Sequence, residues 1–137
     1  MKILAVDDDP IILELLDQFV SIIGEHELTT ALSGPEALEV VHSSEGDTFD
    51  CFLFDIQMPE MDGITLTKHI RSSPTHADTP ILMLTAMSDK RYVDAAFSAG
   101  ATDYITKPFE VPELRARLGL VTADAAAGDL ADRRAQI

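Results

Sequence analysis

The sequence predicts an α/β chain: an open, doubly wound parallel sheet of five strands with five helices. Short apolar, β-rich runs alternate five times with amphipathic stretches along the 137 residues. Three of those runs are apolar nearly throughout instead of alternating, as strands buried on both faces of a parallel sheet must be. Each run ends in polar or turn-forming residues, so the chain reads as strand then helix, repeated, with right-handed crossovers.

The first strand is "KILAV" (2–6). After it, Ile11, Ile12, Leu15, Leu16, Phe19, Val20 and Ile23 fall on one helical stripe that Gly24 is placed to stop. Asp9 stands directly before Pro10 and this stripe, which suits an N-cap followed by proline at the first helical position. The second strand is "HELTTA" (26–31), and "SGPEALEVV" puts Pro35 near the first turn of a helix over 34–43. "DCFLF" (50–54) is the third strand. The turn signal "MPEMDG" leads from it into a helix over 63–72. "PILMLT" (80–85) precedes a helix over 88–99 that ends at Gly100, and "TDYIT" (102–106) precedes a last helix over 110–118. Residues 1–118 therefore read as one domain. Residues 119–137 leave this rhythm, being rich in Ala with mixed charge and Gly128; a helical extension, a linker and a disordered tail all remain open.

The formal net charge of −14 argues against direct contact with nucleic acid, which needs cations to neutralise phosphates. No apolar run approaches the ~20 residues that span a bilayer, so no membrane association is expected. The N-terminus lacks the pattern of a secretory signal, and the cytoplasm is the expected location. A lone Cys51 in "DCFLFD" has no partner for an internal disulfide and reads as a small buried hydrophobe.

In doubly wound sheets the ligand crevice lies beyond the carboxyl ends of the strands. Those ends carry Asp7 with Asp8, then Asp55, Thr85 and Lys107, while the second strand contributes nothing comparable. Three acids of this kind suit a hard divalent cation, and Mg²⁺ prefers a few carboxylates plus waters that leave room for phosphate oxygens. Lys107 supplies a point charge and Thr85 a hydroxyl donor for a phosphoryl group. Singly, each has a bland explanation as a turn residue, a strand end or a surface charge. Jointly, four strand ends with compatible chemistry point to a site.

In this order and on these strands, "VDDDP", "FDIQMPEMDG", "LTA" and "DYITKPF" resemble the receiver domain of two-component response regulators, over about residues 1–118. The resemblance implies a flavodoxin-like fold of receiver type and a signalling switch, not an enzyme with an external substrate. Asp55 would be the phosphoacceptor, taking a phosphoryl group from a histidine kinase or phosphotransfer protein. Asp8, Asp55 and the backbone carbonyl of Gln57 would ligate Mg²⁺, with Asp7 acting through metal-bound water. Thr85 and Lys107 would hold the new phosphoryl group. Tyr104 would swing inward as Thr85 moves, changing the helix 4, strand 5 and helix 5 face. The resemblance also implies a cis bond at Lys107–Pro108, and places Gln57 and Met87 where receivers tune their own dephosphorylation.

The output is open: a lone receiver that signals by docking, or a receiver from a longer regulator. Asp103, Glu113 and Arg117 resemble part of the charged set through which the DNA-binding branch dimerises on the helix 4, strand 5 and helix 5 face. Val93 stands where that branch usually has a basic residue. The main rival is a phosphohydrolase of the haloacid dehalogenase type, with Asp7 as nucleophile and Asp9 as general acid/base. It leaves Asp55 without a role and lacks a later acidic motif. A nucleotide-binding module lacks the Gly-rich cradle. His26, His42, His69 and His76 show no ligand spacing, and Met58, Met61, Met83 and Phe97 read as packing residues.

Overall fold

The structure is a computed structural model that describes residues 1–43, 48–86 and 90–122. Its elements are β1 (Lys2–Val6), α1 (Pro10–Ile23), β2 (Glu27–Ala31), α2 (Gly34–Ser43), β3 (Cys51–Asp55), α3 (Gly63–Arg71), β4 (Ile81–Thr85), α4 (Lys90–Ala99), β5 (Asp103–Thr106) and α5 (Val111–Thr122). A short 3₁₀ turn at Pro74–His76 precedes β4 and has no counterpart in the sequence pattern. The other bounds agree with the sequence to within one or two residues, except that α5 continues through Thr122. Residues 87–89 and 123–137 lie outside the described residues, among them Met87 and the predicted start of the helix over 88–99.

All strand pairs are parallel, in the order β2-β1-β3-β4-β5. Strand order therefore reverses at β1, where the chain steps first outward to β2 and then back across to β3. A crevice opens beyond the carboxyl ends of β1 and β3, and the acids stand there. The central strands β3 and β4 are buried along their full length, which explains why their sequences do not alternate.

The sheet separates two apolar layers. On one face Ile3, Ala5, Leu53, Leu82, Leu84 and Ile105 pack under Leu13, Leu16 and Val20 of α1 and Leu114, Leu118 and Val121 of α5. On the other face Leu4, Val6, Phe52, Phe54, Ile81 and Met83 pack under Ala37 of α2, Leu66 and Ile70 of α3 and Ala96 of α4. Cys51 is fully buried, and burial followed by the Asp50 charge pushes its thiol up to about 12, far from reactivity.

Local chemistry sets the helix ends. The Asp9 carboxylate accepts from the Ile11 N–H at 2.9 Å, with Pro10 at the first helical position, and Gly24 at φ 79° stops α1. The Glu36 N–H donates to the Ser33 hydroxyl, while the Glu36 carboxylate accepts from the Leu32 N–H, so Ser33 and Glu36 tie down the start of α2. Asp62 caps α3 by accepting from the Thr65 N–H at 2.7 Å. Among the described residues no helix is long and apolar enough to cross a membrane.

Candidate functional site

The carboxyl ends of β1 and β3 bring together Asp7, Asp8 and Asp55, which can each present an oxygen within 4.8 Å of the others. Asp7 is 1% exposed and Asp55 6% exposed, while Asp8 faces solvent. Two acids sit at the floor of the crevice and one at its mouth. The sequence places all three here, though not the difference in their burial.

Lys107 reaches this cluster from the loop after β5. Its ammonium donates to Asp7 Oδ2 at 2.8 Å and to Asp55 Oδ1 at 3.2 Å, so it bridges both buried acids. The other Asp7 oxygen accepts from the Asp9 N–H at 2.9 Å. Both Asp7 oxygens are thus engaged by the protein, whereas Asp55 meets Lys107 through one oxygen and Asp8 is exposed beside them. That division was not readable from "DDD" alone. Asp9 stands apart: its carboxylate caps α1, although the hydrolase reading needs it as a general acid.

Burial pushes the Asp55 carboxyl up and Asp7 pushes it further; Lys107 pulls it back and Asp8 adds a smaller push, leaving it at about 6. Burial alone lowers Lys107, but its hydrogen bond to Asp7 and the charges of Asp55 and Asp7 outweigh this and hold it above its ordinary value. One ammonium therefore does not compensate three carboxylates. An acidic oxygen cluster with a residual excess of negative charge is the donor set that a hard divalent cation fits.

Thr85 ends β4, one residue beyond the partner of Asp55 in the β3–β4 register, and is 1% exposed. Its carbonyl accepts from the Lys107 N–H at 2.7 Å, which joins the ends of β4 and β5. The Lys107–Pro108 bond is cis. Gln57 lies two residues past Asp55 in the loop after β3 and is exposed. Tyr104 is half-buried on β5, its ring edge-on to Phe97 at 6.3 Å between centroids.

Gly63 is a member of the site that the sequence reading treated only as part of a turn. Its N–H donates to the Ile56 carbonyl at 2.8 Å, and a Cβ at this position would run into the backbone carbonyl of Asp55. The signal lay in "MDG": an N-cap aspartate followed by a glycine at the start of a helix, where the helix must approach the strand end closely. Asp103 is 3% exposed and is held in its own chain by Arg117 Nη1 at 3.0 and 3.2 Å, while Glu113 is exposed and Val93 buried. His76 is buried against the Phe52 ring and within 2.9 Å of the Thr79 hydroxyl, in a packing role, whereas His42 and His69 are exposed.

Comparison with known proteins agrees with this geometry. The response regulator MprA of Mycobacterium leprae is 42% identical over 118 residues, 86% of this chain but 49% of that protein. The chain thus spans about half the length of such relatives. Among solved structures, the chemotaxis protein CheY4 of Vibrio cholerae superposes with a TM-score of 0.81 at 33% identity, covering 88% of this chain and 97% of that one. The receiver domain of the sensor histidine kinase PA1611 from Pseudomonas aeruginosa, whose structure holds a magnesium ion in the active site cleft, has a TM-score of 0.74 at 29% identity, covering 88% and 96%. The response regulator receiver domain family itself matches residues 3–119. With the doubly wound sheet and the acid cluster at its carboxyl edge, the chain belongs to that family.

Proposed function

We propose that this chain is a phosphoacceptor switch in which Asp55 takes a phosphoryl group from a histidine kinase or phosphotransfer protein. The observation that carries this reading is the Lys107 ammonium held between Asp7 and Asp55 inside a three-carboxylate cluster. An oxygen of Asp55 attacks phosphorus in line, the bond from phosphorus to the donor breaks, and the product is an acyl phosphate. Such transfer requires positioning and charge neutralisation more than covalent assistance.

Lys107 is already placed to follow the charge as it moves from the Asp55 carboxylate onto the phosphoryl oxygens. Asp7 orients Lys107, and Thr85 offers its hydroxyl to one of those oxygens. Asp8, Asp55 and the Gln57 carbonyl would hold Mg²⁺, with Asp7 contributing through water. When bound there, the cation would neutralise the phosphoryl oxygens as they meet the acids. Phosphorylation then biases two conformations through the position of Thr85 and the Tyr104 ring, and the α4–β5–α5 face relays the change. Residues 1–118 are the switch unit, and 119–137 are a helical extension, a linker or a disordered tail. The output is read by an effector protein, an attached output domain or a second copy on that face.

Incubation with Mg²⁺ and acetyl phosphate, followed by intact mass measurement, tests this directly. One Mg²⁺-dependent phosphate is expected on the wild type and none on Asp55→Asn. Phosphorylation that survives in Asp55→Asn but vanishes in Asp7→Asn would sink the switch reading and leave the hydrolase chemistry in its place.

A further inference from the structure

The helices are shared unequally between the two faces of the sheet. Among the described residues α2, α3 and α4 cover one face, but only α1 and α5 cover the other. On that second face β2 is the outermost strand and meets α1 alone: Leu28 packs in part against the core beneath α1, while Thr30, and Leu32 just after the strand, stay open. Leu28 is half-buried, Thr30 exposed and Leu32 47% exposed. Together with Pro10 and Leu13 of α1 they line an open groove of about 430 Å³. Glu14 and Asp17 of α1 form its rim, and both are exposed.

Charge is distributed as unequally as the helices. From Ile3 to Thr67 the sequence has no lysine or arginine while it carries fifteen carboxylates. This stretch contains α1, β2 and α2, so the groove sits in the acidic half of a chain whose net charge is already −14. The Lys and Arg residues from Lys68 onward all come later in the sequence than α1, β2 and α2. An apolar slot with an acidic rim selects a ligand with apolar anchors on one side and cations on the other.

We propose that this flank of the sheet, between α1 and the outer strand β2, docks a cationic amphipathic helix of a partner protein. The shape favours a helix because the slot is bounded by the side of α1 and the face of the sheet. A helix laid there at ordinary packing distance, about 8–10 Å from α1, would complete the thinner layer at three helices. The charge argues against a second copy of this chain, which would bring a further −14 to the contact. The proposed surface is separate from the phosphoryl site and stands whether or not Asp55 is phosphorylated.

The test uses the full chain and a fluorescent synthetic Leu/Lys amphipathic helix of about four turns as probe, read by anisotropy. Asp17→Lys and Leu32→Ser should each weaken binding about tenfold or more. Glu39→Lys, on exposed α2 away from the groove and with the same change of charge, should alter it less than about twofold. All three variants should keep the far-ultraviolet circular dichroism of the wild type and a cooperative urea transition, which shows that they fold. A wild type that fails to bind, an equal loss in Glu39→Lys, or equal binding of a probe with its Leu residues replaced by Ser would overturn the proposal. Tighter probe binding in Arg133→Glu/Arg134→Glu, beyond that in Lys68→Glu/Lys90→Glu with the same change of charge, would do so too, making the chain's own C-terminal segment the occupant. Self-association abolished by Leu32→Ser would assign the groove to a second copy instead.

Discussion

Three adjacent aspartates do three different things because each backbone position meets different neighbours. Asp7 is buried and spends both oxygens on the Lys107 ammonium and the Asp9 N–H, Asp8 is exposed beside it, and Asp9 caps α1. Asp9→Ser keeps a capping oxygen and should spare phosphorylation. Asp9→Ala should cost about 1 kcal/mol in chemical denaturation, and Asp8→Asn should abolish or greatly weaken phosphorylation. Asp55 supplies a pH signature in Mg²⁺-free protein. Its carboxyl is raised from 3.8 to about 6, so the folded state favours the protonated form. That contribution to stability is fully present below pH 3.8 and is lost as pH rises through about 6. Relative to the wild type, Asp55→Asn should therefore gain stability across that window, by at most about 3 kcal/mol. Denaturation midpoints that differ by a constant amount from pH 4 to pH 7 would contradict the assignment.

At the scale of elements, two close approaches hold the site in shape. The start of α3 is pressed against the end of β3, and Gly63 is the only residue type that fits there without displacing the Asp55 carbonyl. Gly63→Ala should lower stability by about 2–3 kcal/mol and reduce phosphorylation, because the strand end carrying Asp55 must shift. The opposite end of α3 is fastened by Arg71. Its guanidinium donates to the carbonyls of Gly100, His76 and Thr79 at 2.9, 2.9 and 2.6 Å. These bonds join α3 to the 3₁₀ turn and to the loop before β5, and Gly100 at φ 115° lets the backbone lie against the Arg71 side chain. Arg71→Ala should cost about 2–3 kcal/mol by urea denaturation, since it leaves three part-buried carbonyls without this donor. The loss should leave Mg²⁺-dependent phosphorylation intact at temperatures where the variant is folded.

For the whole molecule, charge is the dominant variable. A chain at −14 repels itself, and that repulsion is screened by salt. Raising NaCl from low to moderate concentration should raise the Tm. Mg²⁺ should raise it further at equal ionic strength, because a cation that binds only the folded cluster adds stability in proportion to the logarithm of its concentration. The second increment should disappear in Asp8→Asn, and a rise of equal size in wild type and variant would mean that Mg²⁺ acts only by screening. The cis-paired Asp103 and Arg117 bear on assembly at this scale. A symmetric contact through these groups has to compete with a pair already closed within one chain.

The sequence by itself determined the features that depend on neighbours along the chain. Alternating apolar runs and helical stripes defined five strands and five helices, and Asp9 before Pro10 announced the cap. Strand-end positions grouped Asp7, Asp8, Asp55, Thr85 and Lys107, since parallel strands of similar length must end together. Only the tertiary structure decided what depends on distance through space. It assigned Lys107 to both Asp7 and Asp55, raised the Asp55 carboxyl to about 6, placed Gly63 against the Asp55 carbonyl and closed Asp103 on Arg117. Periodicity tells which face of an element is apolar, but not which element covers it. That is why β2 reads in sequence as an ordinary strand and in the structure as one whose acid-rimmed flank α1 covers only in part.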